Sequence, residues 1–173
     1  MIRLAGRDDL DSIDEIERES FPLDRFARRN LRRMLAGGRT RFWLASRDGQ
    51  AAGYAALCFR KGARIARLYS LAVRDGFQGS GLGSALIDTV LGAAGKAGCR
   101  AVRLEVRESN LPARKLYERS GFRLLSRHSS YYEDGETALR YERSVTAQDA
   151  YSCLLYTSPS PRDQRGSRMP SSA

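Results

Sequence analysis

Histidine and cysteine are scarce in this sequence, and long apolar runs are missing. His128 is the single histidine, and Cys58, Cys99 and Cys153 form an odd, widely spaced set with no C-x-x-C. A structural zinc takes about four such ligands in tight clusters, so no metal is expected. A Ser-His or Cys-His nucleophile would have to recruit His128, and nothing near it supports one. No apolar stretch approaches the roughly 20 residues of a membrane span and no signal-peptide pattern opens the chain, so no membrane association is expected. Unpaired cysteines fit a reducing cytosol, which makes the cytoplasm the expected location. Lysine is the other scarcity: Lys61, Lys96 and Lys115 are the only lysines among 30 basic residues. The net charge of +10 is therefore arginine spread along the chain. Such a bias follows from a GC-rich coding sequence as readily as from a binding face. No nucleic-acid-binding module accompanies it, so a nucleic-acid partner is not expected. Nothing in the pattern specifies an oligomeric state.

A length of 173 residues favours one domain with one core. Composition changes near residue 150, where Ser, Pro and Arg take over and amphipathic period is lost. The expectation is a domain over 1–146 and a disordered tail over 147–173. From about Cys153 the tail reads like an in-frame translation of a sequencing adapter, with a native stop codon or further domain lost at that junction. Removing its Arg162, Arg165, Arg168 and Asp163 lowers the charge from +10 to +8.

Within the domain, Ile2 and Leu4 alternate as a short strand. Leu10, Ile13 and Ile16 follow at helical spacing in an acidic segment that Phe21-Pro22 breaks. A second helix is expected over Asp24–Leu35, ended by Gly37-Gly38. Its arginines at 25, 28, 29, 32 and 33 read as a solvated face partly balanced by the acidic first helix. Strands over Arg41–Arg47 and Gln50–Phe59 flank Asp48-Gly49, a hairpin turn. A strand over Arg64–Val73, a helix over Gly81–Ala97, a strand over Ala101–Val106 and a short helix over Leu111–Ser120 come next. Phe122–Tyr131 and Glu136–Arg143 pair around Asp134-Gly135. The order β-α-α-β-β-β-α-β-α-β-β predicts a mixed α/β sheet with helices on its faces.

Gln78-Gly79-Ser80-Gly81-Leu82-Gly83 sits between a strand and a helix. Glycines at alternate positions leave the backbone free of Cβ atoms, so amide N–H groups at a helix N-terminus can close on a pyrophosphate. A tight strand-to-helix turn with no ligand explains the glycines equally well. The P-loop pattern G-x-x-x-x-G-K-[ST] is absent. The dinucleotide fingerprint G-x-G-x-x-G fails at Ser84 or Leu86, and hairpin-like strands precede the turn where a βαβ unit is required. Q-x-x-G-x-G matches without a gap.

That pattern extends into a longer resemblance. Leu71-Ala72-Val73, Gln78 to Gly83, Leu104-Glu105-Val106-Arg107 with Ser109-Asn110, Leu116-Tyr117-Glu118, Gly121-Phe122 and Tyr131-Tyr132 together resemble the GNAT N-acetyltransferase family. Within it they are most similar to bacterial ribosomal-protein alanine N-acetyltransferases. The resemblance covers Leu68 to Tyr141 and implies a sheet splayed at its central parallel pair. It also implies acetyl-CoA as co-substrate, without a metal, and a primary amine as acceptor, foremost a protein N-terminal α-amine.

Attack of an amine on a thioester needs a proton acceptor, a donor to the developing oxyanion and a proton for the departing thiolate. The resemblance implies Glu105 as general base, directly or through water, and Tyr117 as general acid. It implies that Leu71, Ala72, Val73, Gln78, Gly79, Ser80, Gly81, Leu82, Gly83, Ser84, Asn110 and Tyr117 contact the cofactor. Plainer roles are open beside these. Glu105 reads also as a strand glutamate paired with Arg103 or Arg107, Tyr117 as packing beside Leu116, Asn110 as a helix cap, and Tyr131, Tyr132 and Glu133 as surface residues rather than acceptor contacts. Acetylation of a small-molecule amine, or acetyl-CoA binding without catalysis, would use the same core.

Overall fold

The computed structural model describes residues 1–150; the segment from Cys153, read above as adapter-derived, lies outside them. The strands are β1 (Ile2–Leu4), β2 (Thr40–Arg47), β3 (Gln50–Cys58), β4 (Ile65–Val73), β5 (Ala101–Arg107), β6 (Arg123–His128) and β7 (Ala138–Ser144). The helices are α1 (Leu10–Ser20), α2 (Arg28–Ala36), α3 (Leu82–Lys96) and α4 (Leu111–Arg119). The order matches the one expected. A 7-stranded sheet runs β1-β2-β3-β4-β5-β7-β6, and only β4 and β5 are parallel neighbours.

Strand alternation sorts the apolar side chains onto two faces. Val102, Leu104 and Val106 of β5 join Leu82, Leu86, Val90 and Tyr117 in a core beneath α3 and α4. Phe42, Leu44, Tyr54 and Ala72 meet Leu10, Ile13, Ile16 and Leu31 in a second core beneath α1 and α2. The layers are therefore helix, sheet, helix. Asp48 and Gly49 both have positive φ, 53° and 76°, which is what a two-residue hairpin with right-handed strand twist requires.

The central pair is splayed. β4 and β5 match only at Ile65, Ala66 and Arg67 against Ala101, Val102 and Arg103. Beyond Arg67 the register of β4 against β3 skips one residue, since Ala56 pairs with Ser70 and Leu57 with Leu68. Tyr69 is the extra residue. A bulge bends its strand and inverts the alternation, so Leu68 points to the α3 side before it and Leu71 and Val73 after it. β4 leaves β5 there and a cleft opens between them.

Three boundaries depart from the sequence reading, each for a local reason. α2 begins at Arg28, not Asp24, because the Phe26 amide donates to Glu17 Oε2 (2.9 Å) and Asp24 is paired with Arg107; residues 21–27 stay a loop. The final strands are shorter than expected because the Tyr131 and Tyr132 amides donate to the Glu136 carbonyl at 3.2 and 3.3 Å, closing a β6–β7 loop. Residues 147–150 form a helical turn past the expected limit at 146. There Asp149 accepts from the Thr146 amide and Arg143, both at 2.8 Å, and Ala150 lies against Gly95.

Candidate functional site

The cleft has a volume of about 370 Å³. Leu68 to Leu71 and Leu104 to Arg107 line its two strands, the loop between α1 and α2 contributes Phe21, Asp24 and Phe26, and the β6–β7 loop contributes Tyr131 and Tyr132. Asn110, Ala113 and Tyr117 approach from α4. Of the residues singled out in the sequence, Glu105, Tyr117, Asn110, Leu71, Tyr131 and Tyr132 thus share one cavity. Glu133 is exposed and outside its lining.

Glu105 stands on the polar face of β5, its side chain 12% exposed. Arg140, its cross-strand partner on β7, donates to Oε2 at 2.6 Å, and Arg67 of β4 donates to Oε1. The expected same-strand partners are engaged elsewhere, Arg103 with Glu142 at 2.6 Å and Arg107 with Asp24. Residues directly opposite across a ladder stand about 5 Å apart and outcompete neighbours two along one strand. Each oxygen of a carboxylate has about two lone pairs, so one guanidinium per oxygen leaves room for a further donor such as water.

Tyr117 is buried, its ring edge-on to Phe122 with centroids 5.6 Å apart. Burial pushes the phenol pKa well up, so the group is a proton carrier at neutral pH. Asn110 is a helix cap, its Oδ1 accepting from the Ala113 amide at 3.2 Å. The packing reading of Tyr117 and the capping reading of Asn110 are therefore true of the fold, and neither removes the residue from the cleft.

The glycine turn lies outside the cleft's lining, at the start of α3. Gly79 and Gly81 take φ of 79° and 84°, where a side chain is strained, and Gly81 precedes α3 with no side-chain cap on its first turn. Gly83 is needed for another reason: a Cβ there would stand 3.0 Å from Leu116 Cδ2 of α4. Gln78 is exposed and folds back on its own strand, its amide donating to the Val73 carbonyl at 3.1 Å, and the Ser80 hydroxyl donates to the Phe77 carbonyl. Leu82 is core and Ser84 is half-buried. The uncapped N-terminus of α3, beside the stretch of β4 from Leu71 to Val73 that has left β5, could hold a pyrophosphate with an extended amide chain behind it.

Several cleft residues escaped the sequence reading. Glu17 is 1% exposed. Its carboxylate accepts from the Tyr54 hydroxyl, from the Ser70 hydroxyl at 3.1 Å and from the Phe26 amide at 2.9 Å. Burial, the largest influence, pushes its pKa above the ordinary range against those three hydrogen bonds. The usable signal was periodicity: Asp14 and Glu17 fall on the stripe of Leu10 and Ile13, where a solvated acid does not belong. Arg67, Arg107, Arg140 and Asp24 carried no such signal. On α2, Arg28 pairs with Asp11 and, at 3.4 Å, with Asp14, joining the basic helix to the acidic one. No helix among the described residues is long and apolar enough to cross a membrane.

Residues 10–122 match the acetyltransferase (GNAT) family. An uncharacterized N-acetyltransferase of Methanocaldococcus jannaschii is 35% identical over 140 residues, spanning 80% of this chain and 88% of the relative. An N-alpha-acetyltransferase of Sulfolobus acidocaldarius is 30% identical over 148 residues, 79% of this chain and 88% of its own. The crystal structure of the ribosomal-protein-S18-alanine N-acetyltransferase from Escherichia coli superposes with a TM-score of 0.76 at 27% identity, covering 84% of this chain and 94% of that one.

Proposed function

The chain belongs to the acetyltransferase (GNAT) family and is an N-acetyltransferase, and from that premise we propose that it transfers the acetyl group of acetyl-CoA to the α-amine of a protein N-terminus. The observation that carries this reading is the splay itself: β4 and β5 separate after Arg67, and Glu105 and Tyr117 both line the resulting gap. Acetyl-CoA supplies the thioester whose carbonyl carbon the amine attacks. The turn from Gln78 to Gly83, with Ser84 behind it, holds the pyrophosphate on the first N–H groups of α3. Leu71 and Val73, whose backbone groups alternate onto the free edge of β4, hold the pantetheine by backbone hydrogen bonds, with Ala72 between them in the proposed contact.

The acceptor enters from the other end, between the loops bearing Phe26 and Tyr132. Glu105 accepts the ammonium proton through a water, because both of its oxygens already carry a guanidinium donor. Tyr117 donates to the departing sulfur. The thiolate of a thiol with pKa near 8.5 is a weaker base than this buried phenolate, so complete transfer from Tyr117 would be uphill. The burial that raises the phenol raises a thiolate beside it as well, and a hydrogen bond along the sulfur's path then suffices.

Supporting an N-terminal acceptor are the N-alpha-acetyltransferase and ribosomal-protein-alanine relatives, together with a cleft open to a chain end. The test is thiol release from acetyl-CoA with hexapeptides beginning Ala, Ser or Met, set against polyamines and aminoglycosides. Faster turnover of a peptide is the expected result. Preference for a small amine overturns the acceptor assignment, and binding of acetyl-CoA without thiol release to any amine overturns the catalytic reading.

A further inference from the structure

Arg107 ends β5 and touches both loops that wall the acceptor end. Its Nε and Nη2 grip Asp24 of the α1–α2 loop at 2.7 and 2.8 Å, a bidentate pair bridging 83 positions of sequence. Its Nη1 donates to Asp134 at 2.9 Å and to Glu136 at 2.7 Å, both in the β6–β7 loop. The guanidinium lies over the Tyr132 ring, 4.2 Å from the centroid. All three nitrogens of the group donate, one face rests on a ring, and its side chain is 15% exposed. The loop carboxylates are themselves fixed: Glu136 Oε2 accepts from the Ser109 amide at 2.8 Å and Asp134 Oδ1 from the Glu136 amide at 3.1 Å. Those bonds and the guanidinium bring the Glu136 pKa to about 2 and hold Asp134 below its ordinary range, so the carboxylates stay charged at working pH.

Isolated surface ion pairs contribute little. This one differs in geometry, because a planar fork grips one carboxylate in parallel and two others from its remaining edge while resting on an aromatic ring. Neither loop otherwise has regular structure to hold it, and both present cleft residues beside their anchor: Phe26 two positions after Asp24, Tyr132 two before Asp134.

Resting on the acceptor site proposed above, we propose that Arg107 is a positioning residue that locks the α1–α2 and β6–β7 loops into one wall and so sets the acceptor's place without touching the thioester. The donor's cradle on α3 is not part of the lock. Lysine would keep the charge but not the fork.

The kinetic test uses the alanyl hexapeptide and acetyl-CoA as the two varied substrates. R107Q is expected to raise the peptide KM roughly 10- to 100-fold, the scale of a misplaced substrate, with the acetyl-CoA KM changed less than about twofold. R107K recovers part of the loss, D24N reproduces it in smaller degree, and the double variant D24N/R107Q is no worse than R107Q. A parallel rise in the acetyl-CoA KM, a fall in kcat alone, or D24N and R107Q effects that multiply as independent changes would overturn the assignment. Amide hydrogen exchange on the protein without substrates reads the lock directly. In R107Q, residues 21–27 and 131–137 are expected to exchange faster together, and loosening of one loop alone would overturn the coupling. A wild-type protein inert toward every amine would refute the catalytic reading, and a preference for small amines the acceptor reading, while the exchange result would still decide the lock.

Discussion

Gly53 of β3 faces Val73 across the ladder at the end of β4 where the donor's amide chain is proposed to bind. A Cβ at this position would stand 2.6 Å from the Ala72 carbonyl oxygen and 3.3 Å from Val73 Cα. Carbon–oxygen contacts begin near ~3.3 Å, so Gly53→Ala must drive the two strands roughly 0.7 Å apart. Both obstacles are backbone atoms, and no rotamer relieves them. Overpacking of this kind costs about 1–3 kcal/mol, offset by the ~0.5–1 kcal/mol an alanine regains over glycine in a strand. A net loss of about 1–2 kcal/mol lowers Tm by roughly 2–8 °C for a chain of this size. The displacement also travels, because Gln78 is anchored on the Val73 carbonyl at 3.1 Å and leads into the glycine turn. The acetyl-CoA KM should therefore rise several-fold while the peptide KM moves less. Thermal melts and two-substrate kinetics check both halves. A variant with unaltered Tm and acetyl-CoA KM would refute the claim that this edge positions the donor.

Glu105→Gln should lower turnover at neutral pH by about 100-fold or more, the range of a lost general base, with little change in the acetyl-CoA KM; unchanged turnover removes Glu105 from the mechanism. Tyr117→Phe keeps the ring's edge contact with Phe122 and should fold normally while kcat falls at least about tenfold, and an undiminished kcat excludes the acid role. Glu17 has a folded pKa raised by burial, so between its ordinary value and the raised one the folded chain holds more proton than the unfolded chain, and its contribution to stability declines as pH rises through that window. Denaturation of wild type and Glu17→Gln over a pH series should show the wild-type advantage shrinking toward neutral pH; a constant or growing advantage contradicts the burial argument. Added salt should raise the peptide KM, whereas a fall would mean that the protein's net positive charge governs acceptor entry.

The order of elements was readable because its punctuation is chemical: Asp48-Gly49 demands a hairpin, Gly98 and Gly121 stop helices, and β5 alternates without a fault. The N-acetyltransferase family was readable too, since Q-x-x-G-x-G and the segment from Leu104 to Tyr117 are contiguous in the chain. What stayed hidden was everything assembled across distance. Arg107 and Asp24 are 83 positions apart, and their pairing depends on a strand end meeting a loop that local propensity reads as the start of α2. The partners of Glu105 were misread for the same reason, since Arg67 and Arg140 reach it only once β4 and β7 flank β5. The Tyr69 bulge left no mark because Leu68, Tyr69 and Leu71 suit either parity of a strand, and only pairing with β3 reveals the skipped residue.

Net charge and local charge point opposite ways in this molecule, and distance decides between them. The proposed acceptor, an N-terminal amine, would approach largely as an ammonium, its ordinary pKa being about 7.7–8.0, and a chain carrying +10 overall should repel it. Of the arginines among the described residues, Arg67 and Arg107 line the cleft, and at physiological ionic strength the field of the others decays over roughly 8 Å. At the mouth the balance is reversed. One guanidinium, Arg107, is set among the carboxylates of Asp24, Asp134 and Glu136, an excess of two negative charges within that cluster, with Arg25 exposed beside it in the same loop. Farther in, Glu17 adds a carboxyl with no basic partner in its hydrogen bonds, while Glu105 is outnumbered by Arg67 and Arg140. On the proposed reading, the ammonium would therefore meet attraction at the wall that Arg107 is proposed to assemble and a guanidinium-rich surround at Glu105, the proposed base. That gradient would favour the cation on arrival and the neutral amine at the point of attack, which is the order the proposed reaction needs.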